Sequence, residues 1–333
     1  MAARGDVVRA HPLKGADCPT LDSGTDEGNE AMQPLKTPIE LRGCYHNWVG
    51  LTLRLALTNQ LPSTVVLKGR VVLGRPSTVG RIIALADAVR TGWIVDRESA
   101  ALIRVRPPAG PVLLCRWGRG FDLENAIEVF RDQVYLAPVK GEVVIDGGTG
   151  IGDSALYFAG RGAKRVLAFE PNPETFAIAR RNVESSEWAE RISLRGEAIS
   201  DLNGEAFLRF PSMVPSAASL RPVSQAVDRW AFDSRTVART RTLDSIAEEI
   251  RESRIGLLKL DCQGAEYQVL RAASMETLER IESIIVEFGE GVQDLADLLA
   301  RSGFRVESTG GTRGYLRACR SFVPHESAAP TLS

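Results

Sequence analysis

The stretch "VVIDGGTGIGDSAL", residues 143–156, decides the fold. It begins as an apolar run that ends on Asp146. Glycines follow at four of the next six positions, namely Gly147, Gly148, Gly150 and Gly152. Glycines in such a turn let the backbone reverse sharply and approach a ligand closely. The stretch therefore predicts a buried strand, a ligand-binding turn and the start of a helix.

Two classes of cofactor use a glycine-rich turn of this kind, and the spacing fits both. Read as Gly150-x-Gly152-x-x-Ala155, it fits the pyrophosphate loop of an NAD(P)-dependent oxidoreductase. Read as Asp146-x-Gly148-x-Gly150-x-Gly152, it fits a loop that holds S-adenosylmethionine (SAM). Asp146 favours SAM, because a carboxylate repels a pyrophosphate and attracts an ammonium or a sulfonium. A structural role for Asp146, capping the N–H groups of the loop, stays open.

The residues after Gly141 alternate between apolar strands and helices, as in a parallel sheet covered on both faces. The predicted strands are "EVVIDGG", "RVLAFEP", "ISLRGEA", "EAFLRF", "IGLLKLD" and "IESIIVEF". The predicted helices are "DSALYFAGRG", "PETFAIARRNVES", "TLDSIAEEI", "EYQVLRAA" and "VQDLADLLARSG". The last two strands, "FRVES" and "YLRAC", have hairpin spacing. An antiparallel closing strand favours the SAM reading, because dinucleotide enzymes continue with βαβ units or a substrate domain.

Composition and charge exclude other classes of protein. The 333 residues are 44% hydrophobic and 25% charged, which is typical of a soluble globular protein. The formal net charge of −1 creates no overall electrostatic field that would attract nucleic acid or an anionic membrane. We find neither a signal-peptide core nor a stretch of about 18 apolar residues, so we expect no membrane segment. The five cysteines form no CxxC pair, which favours reduced thiols in a cytoplasmic protein.

The chain divides into four predicted regions. They are a disordered leader (1–38), an α+β module (39–139), a cofactor-binding domain (140–323) and a flexible tail (324–333). In the module we predict the helices "NWVGLTLRLALTNQ", "TVGRIIALADAVRTG" and "DLENAIEVF" and the strands "TVVLKG", "ALIRVRPP" and "PVLLCRW". Asp122 is the expected N-cap of the helix "DLENAIEVF". The module is expected to form a wall of the acceptor site or a dimer contact, and its composition does not decide between them or predict an oligomeric state.

Polar residues at other strand ends are candidates for the same cleft. Glu170 lies 20 positions after Gly150, where an acid accepts ribose hydroxyls in either class of cofactor. Glu197 is placed to accept the adenine amino group, or is a solvated charge at a strand end. Lys259 and Asp261 bracket the end of a buried strand, and Asp261 has a structural N-cap role as its alternative.

Six stretches occur in a fixed order between residues 143 and 288: "VVIDGGTGIGDSALYFA", "VLAFEPNPETFAIARRNV", "GEAISDLNGEAFL", "TRTLDSIAEE", "LLKLDCQGAEYQVLRAA" and "IIVEF". This ordered set resembles the FkbM family of SAM-dependent methyltransferases, and the resemblance covers roughly residues 125–308. The resemblance implies an α/β fold with a Rossmann-like seven-stranded class I methyltransferase sheet and an antiparallel last strand, preceded here by the small α+β module. It also implies methyl transfer, generally to a hydroxyl of a sugar, polyketide, lipid or other secondary metabolite.

The resemblance also assigns residues. Asp146, Gly148 and Gly152 would form the SAM loop, with Gly150 completing the general class I pattern. Glu170 would hold the ribose, Glu197 and Ala198 would flank the adenine, and Asp261 would lie beside the methyl group. Two places depart from the family, because Gln263 stands where Glu is common and Thr149-Gly150 where Ala-Asn is frequent. Because of Gln263, a non-catalytic SAM-binding protein remains an alternative. An NAD(P)-dependent oxidoreductase is the next, less favoured alternative.

Transfer to a hydroxyl needs in-line alignment and is helped by a base, by about 10²–10⁴-fold. The three histidines, His11, His46 and His325, lie in the predicted tails or before a helix of the module. We therefore expect Asp261 to be the base, with Glu266 and Lys259 as further candidates. Glu266 has an alternative role, which is to complement the dipole of its own helix. A mechanism without a dedicated base also stays open. No metal is expected, because the segment around Asp261 lacks a second nearby acid.

Recognition of the acceptor is expected in residues 210–240, which show little periodicity. Arg221, Arg229 and Trp230 in this segment could stack on a ring or pair with an anionic acceptor. The Asn/Asp-Pro-Pro-aromatic motif of nucleic-acid methyltransferases is absent. We therefore expect a small molecule or a glycan as acceptor, and neither nucleic acid nor a membrane as partner.

Overall fold

A computed structural model describes residues 41, 44–48, 50–51, 61–68, 71–76, 78–220, 232–289, 291–308 and 313–320. Several predictions on the sequence lie outside these residues. They concern the leader, the tail, most of the helix expected over 47–60, and the acceptor contacts of Arg221, Arg229 and Trp230.

The N-terminal part contains short strands, two helices whose bounds are described, and further helical residues at 41, 44, 48, 50 and 51. The strands are β1 (Val65–Val66), β2 (Val72–Leu73), β3 (Ile94–Arg97), β4 (Leu102–Arg106) and β5 (Leu113–Arg116), and the helices are α1 (Val79–Arg90) and α2 (Asp122–Phe130). Strands β3, β4 and β5 form an antiparallel sheet. The expected N-cap role of Asp122 is wrong, because Phe121 occupies that position. The carboxylate of Asp122 instead accepts hydrogen bonds of 2.7 and 2.8 Å from the buried Arg116 guanidinium.

A seven-stranded sheet lies at the centre of the rest of the chain. The strands after residue 142 are β6 (Val143–Gly147), β7 (Arg165–Phe169), β8 (Ile192–Arg195), β9 (Glu197–Ile199), β10 (Gly204–Phe210), β11 (Ser234–Arg241), β12 (Ile255–Leu260), β13 (Ile281–Phe288), β14 (Phe304–Ser308) and β15 (Gly314–Arg320). The sheet has the order β14-β15-β13-β12-β6-β7-β8. Strand β15 pairs antiparallel with both of its neighbours, while the pairs from β13 to β8 are parallel. The predicted fold class is therefore confirmed, including the closing hairpin.

Helices cover both faces of this sheet, which explains why its central strands are buried throughout. The helices are α3 (Asp153–Gly160), α4 (Pro173–Glu184), α5 (Leu243–Glu248), α6 (Glu266–Ala272), α7 (Met275–Glu279) and α8 (Val292–Arg301). Every residue of β6 and β12 is buried. One hydrophobic cluster joins α3 to the N-terminal part, and a second packs α5, α6 and α8 on the other face. Helix α7 was not predicted.

A small second sheet corrects two expectations. It has the order β10-β11-β9. The stretch "ISLRGEA", expected to be one strand, is divided between β8 and β9, which belong to different sheets. The segment 210–240, expected to be irregular, contains most of β11. In β11 only Ala238 and Thr240 are buried. The buried positions are therefore small or polar and the exposed positions are mostly arginines, so the alternation leaves little hydrophobic signal in the sequence.

Asn182 on α4 links the N-terminal part to the glycine-rich turn. Its Oδ1 accepts a 2.7 Å hydrogen bond from the backbone N–H of Leu114 on β5. Its Nδ2 donates to the carbonyl oxygens of Leu114, at 3.2 Å, and Ile151, at 2.9 Å. One buried amide thus holds strand β5, helix α4 and the turn together.

Candidate active site

The glycine-rich turn connects β6 to α3 at the carboxyl end of the sheet, where ligands of α/β proteins bind. Gly148 has a φ of 75°. A Cβ atom at this position would lie far inside the van der Waals contact distance to the Asp261 carbonyl oxygen. Gly152 has a φ of 86°, and a Cβ there would lie 3.3 Å from the carbonyl oxygen of Ala179 on α4. The turn therefore needs glycine for its backbone conformation and for its close packing.

Asp146 is fully buried at the end of β6. Its Oδ2 accepts a 2.7 Å hydrogen bond from the hydroxyl of Ser154 on α3. Its Oδ1 lies 3.2 Å from the Lys259 ammonium, an ion pair without hydrogen-bond geometry. Asp146 thus joins the strand, the following helix and β12, which fits a role in shaping the loop.

Lys259 is the cation at the centre of this arrangement. Its Nζ donates hydrogen bonds to the carbonyl oxygens of Gly147, at 3.2 Å, and Gly148, at 2.6 Å. Burial alone would lower the pKa of Lys259, but the carboxylates of Asp146 and Asp261 raise it above its ordinary value. Lys259 is therefore an ammonium at neutral pH, and it fits a positioning role better than that of a base.

Glu170 lies at the end of β7, where the sequence placed a ribose ligand. Its Oε1 accepts a 2.8 Å hydrogen bond from the backbone N–H of Asn172, and the carboxyl group also accepts one from the N–H of Gly150. Burial raises the pKa of Glu170 to about 8, against the opposing effect of these hydrogen bonds. The carboxyl group is thus held at the loop, and its contact with the ribose stays a prediction.

The charges around the loop bear on the choice of cofactor. Burial also raises the pKa of Asp153, the first residue of α3, to about 7. Asp146, whose charge is paired with Lys259, is thus joined at the loop by two further acids, Asp153 and Glu170, which ionise near pH 7 and pH 8. A pyrophosphate would add negative charge to this site, whereas SAM brings a sulfonium and an ammonium. The site fits SAM.

Asp261 follows β12 and is the more accessible acid at this edge, with its side chain 21% exposed. Its Oδ2 accepts a 3.2 Å hydrogen bond from the hydroxyl of Tyr135, and its Oδ1 accepts one of 2.9 Å from Gln263 Nε2. The N-cap of α6 is Ala265, so Asp261 does not have the structural capping role that was its alternative. Gln263, where the family commonly has Glu, supplies a neutral donor to the Asp261 carboxylate.

Glu266 uses both carboxylate oxygens to hold the turn before α6. Oε1 accepts a 2.6 Å hydrogen bond from the N–H of Cys262, and Oε2 accepts one of 2.9 Å from the N–H of Gly264. Burial raises the pKa of Glu266 to about 7. These contacts fit a role in shaping the turn rather than in contacting an acceptor.

Glu197 and Ala198, the predicted adenine neighbours, lie on β9. The Glu197 Oε2 atom is 3.8 Å from the Arg241 guanidinium, and Ala198 is buried. The following residue, Ile199, packs so closely on Gly147 that a Cβ there would lie 3.0 Å from its side chain. Strand β9 therefore runs beside the loop, and the adenine contact stays a prediction.

Two residues that lie beside Asp261 were not predicted from the sequence. Tyr135 is buried and 126 positions away in the chain, and no local pattern announces it. Glu287 lies near the end of β13, directly beside Asp261. The rule that singled out Asp261, a polar residue at the end of a buried strand, would also have found Glu287.

Two absences hold for the part of the chain that the structure describes. None of its helices is long and apolar enough to cross a bilayer. Within the same ranges, no group of three or more His, Cys, Asp or Glu side chains is arranged to hold a metal ion.

The strand order and the carboxylate-flanked glycine loop define a class I methyltransferase, a fold that implies SAM as the cofactor. Residues 146–306 match the family model described as the methyltransferase FkbM domain, so the chain carries a domain of this family.

Curated relatives agree with this assignment. Methyltransferase 1 of Beauveria bassiana is 29% identical, over 54% of this chain and 79% of its own. The 2-O-methyltransferase NoeI of Sinorhizobium fredii is 29% identical, over 50% of this chain and 71% of its own. The AMB antimetabolite synthetase AmbE of Pseudomonas aeruginosa is 30% identical over 54% of this chain, which spans only 10% of AmbE. Among solved structures, the FkbM methyltransferase of Methylobacillus flagellatus is 18% identical with a TM-score of 0.40, over 58% of this chain and 47% of that one.

Proposed function

We propose that the domain, taken as residues 140–323, transfers the methyl group of SAM to a hydroxyl oxygen of a small molecule or a glycan. The observation that carries this proposal is the Asp261 carboxylate, partly exposed at the strand end beside the glycine loop and fixed by Tyr135 and Gln263. The name of the relative NoeI, a 2-O-methyltransferase, supports oxygen as the acceptor atom.

The cofactor contacts follow from the positions of the loop residues. Gly148, Gly150 and Gly152 allow the backbone to come close to SAM, and Glu170 accepts the ribose hydroxyls once its proton has been lost. Glu197 and Ala198 flank the adenine. SAM, when bound, supplies a methyl group on a positively charged sulfur, and the carboxyl groups around the loop stabilise that charge.

Asp261 is the proposed base. An alcohol loses its proton during or after attack on the methyl group, and a positioned carboxylate contributes about 10²–10⁴-fold by accepting it. Lys259 remains charged and Glu266 is occupied by backbone N–H groups, so both support the site rather than remove the proton.

The N-terminal module (39–139) is proposed as one wall of the acceptor site. Tyr135, which belongs to this region, reaches Asp261, and Asn182 ties β5 to the cofactor loop. Arg221, Arg229 and Trp230 remain candidate acceptor contacts. A cytoplasmic location and the lack of nucleic-acid and membrane partners remain predictions.

The test is a transfer assay with tritiated SAM against a panel of hydroxylated glycans and secondary metabolites. Asp261→Asn should lower kcat by about 10²–10⁴-fold and change SAM affinity little. Asp297→Asn, on the exposed face of α8, is the matched control and should behave as the wild type. Transfer at the wild-type rate by Asp261→Asn would refute its role as base, and SAM binding without transfer to any acceptor would favour the non-catalytic alternative.

A further inference from the structure

Glu287 and Asp261 lie side by side at the carboxyl edge of the sheet. Leu260 on β12 pairs with Val286 on β13, so the next residue of each strand is Asp261 and Glu287. Paired residues of neighbouring parallel strands lie on the same face of the sheet, so the two side chains are neighbours and a hydrogen bond can join their carboxyl groups. Such a bond needs a proton, because two carboxylates cannot donate to one another.

The charged groups around this pair do not provide enough positive charge to ionise both acids. Lys259 Nζ is 4.0 Å from Asp261 Oδ2 and is already paired with Asp146 at 3.2 Å. Among the described residues, the other titratable groups that act most strongly on Glu287 are another acid, Glu128 on α2, and the hydroxyl groups of Tyr135 and Tyr315. Two adjacent acids that share a single partner cation lose their protons in two well-separated steps.

The titration of Glu287 agrees with this geometry. The neighbouring Asp261 carboxylate, together with burial, raises the pKa of Glu287 to about 9. Tyr315, opposite Glu287 on β15, hydrogen bonds to Tyr135, which in turn donates to Asp261. At neutral pH the two carboxyl groups of Asp261 and Glu287 therefore carry one negative charge between them.

We propose that Asp261 and Glu287 share one proton and act together as the group that receives the proton of the methyl acceptor. This inference rests on the proposed function. Asp261 is the catalytic residue, since its partly exposed side chain lies next to the glycine loop, against which its backbone packs. Glu287 is a positioning residue that acts through Asp261, because its proton orients the Asp261 carboxylate and keeps the pair singly charged.

The chemical step balances without any further reactant. The acceptor oxygen forms a bond to the methyl carbon, and the carbon–sulfur bond breaks with its electron pair remaining on sulfur. The hydroxyl proton moves to Asp261, so the pair changes from one proton to two. It then returns one proton to solvent through the partly exposed Asp261 side chain.

The first test measures stability against pH and needs neither SAM nor an acceptor. Folded wild-type protein keeps the Glu287 proton up to about pH 9, whereas the unfolded chain loses it near pH 4.5. Glu287→Gln removes this difference. The variant should therefore gain stability relative to the wild type as pH rises from 5 to 9, by up to about tenfold in the unfolding constant per pH unit. Glu282→Gln, on the same strand but beside Arg254, is the control and should give a flat difference.

The same comparison in an Asp261→Asn background tests whether the proton is shared. Without the Asp261 charge Glu287 ionises more easily, so the slope produced by Glu287→Gln should become much smaller. An equal slope in both backgrounds would overturn the shared proton, as would a flat difference in the wild-type background. Either result would leave the methyl-transfer proposal standing if the transfer assay succeeds.

The second test links the pair to the cofactor. Calorimetry at pH 8 in phosphate and in Tris reports the protons released when SAM or S-adenosylhomocysteine (SAH) binds. The sulfonium of SAM should release more of the shared proton than neutral SAH does, and Glu287→Gln should abolish this excess. Glu170 also titrates near this pH, but its contribution is common to both ligands. Equal proton release by SAM and SAH in the wild type would overturn the placement of the pair beside the methyl group.

Discussion

Replacement of Lys259 by methionine tests whether the cofactor loop is held by one buried cation. Methionine keeps the length and the apolar contacts of the side chain but removes its charge. The Lys259 ammonium contacts two loop carbonyls, at 2.6 and 3.2 Å, and the buried Asp146 carboxylate, at 3.2 Å. Its removal leaves Asp146 with Ser154 as its hydrogen-bond donor.

The expected cost follows from these contacts. Breaking a buried ion pair by removing one partner destabilises a protein by about 3–5 kcal/mol, because the remaining charge is buried without compensation. Asp146 can relieve part of this cost by taking up a proton. The loss in Lys259→Met should therefore be smaller at pH 5 than at pH 8. The double variant Asp146→Asn with Lys259→Met should be clearly less destabilised than the sum of the single variants, by about 2 kcal/mol or more.

Urea denaturation of the four proteins of this cycle at pH 5 and pH 8 measures these energies. SAH titration of each variant reports whether the loop keeps its shape, and we expect Lys259→Met to lose most of its affinity. A loss of less than about 1 kcal/mol with unchanged SAH affinity would show that Lys259 does not hold the loop. Additive effects in the double variant would show that the ion pair with Asp146 is unimportant.

Three further predictions concern the same edge of the sheet. Gly148→Ala should abolish SAH binding and lower the free energy of unfolding in urea by about 2–4 kcal/mol, because its Cβ would collide with the Asp261 carbonyl oxygen. Gly289→Ala is the control and should be neutral, since no atom lies within 4 Å of the added Cβ. The wild-type affinity for SAH should rise from pH 6 to pH 8, because Glu170 ionises over this range and then accepts the ribose hydroxyls. In Glu170→Gln, calorimetry should find a weaker SAH affinity that does not change with pH. Asn182→Ala should cost about 2–4 kcal/mol in thermal denaturation and weaken SAH binding, because it leaves buried backbone groups of β5 and the loop without partners; an unchanged melting temperature would contradict this.

The regular part of the fold was predictable because its signals are local. Strands β6 and β12 are buried on both faces, so their sequences are nearly continuous apolar runs. The glycines after Asp146 indicate the turn that follows β6. The closing hairpin of β14 and β15 was also predictable from its spacing. Strand β11 was not predictable, because it buries only Ala238 and Thr240 and exposes the arginine between them.

The contacts within the site depend on which strands become neighbours. Asp146, Glu170 and Asp261 could be singled out because each stands at the end of an apolar run. The pairing of Lys259 with Asp146 depends on β12 lying beside β6, and residue spacing alone does not reveal this. Tyr135 reaches Asp261 from a loop that precedes the sheet, so its role could only be seen in three dimensions.

Calorimetric titration of the purified chain at pH 8 with SAH, and in parallel with NADH, tests the central claim that this loop binds a methyltransferase cofactor rather than a dinucleotide. At this pH the carboxyl groups of Asp153 and, in part, Glu170 are ionised, so the loop should admit one SAH per chain and reject the pyrophosphate of NADH. Saturable NADH binding together with no detectable SAH binding would contradict the account.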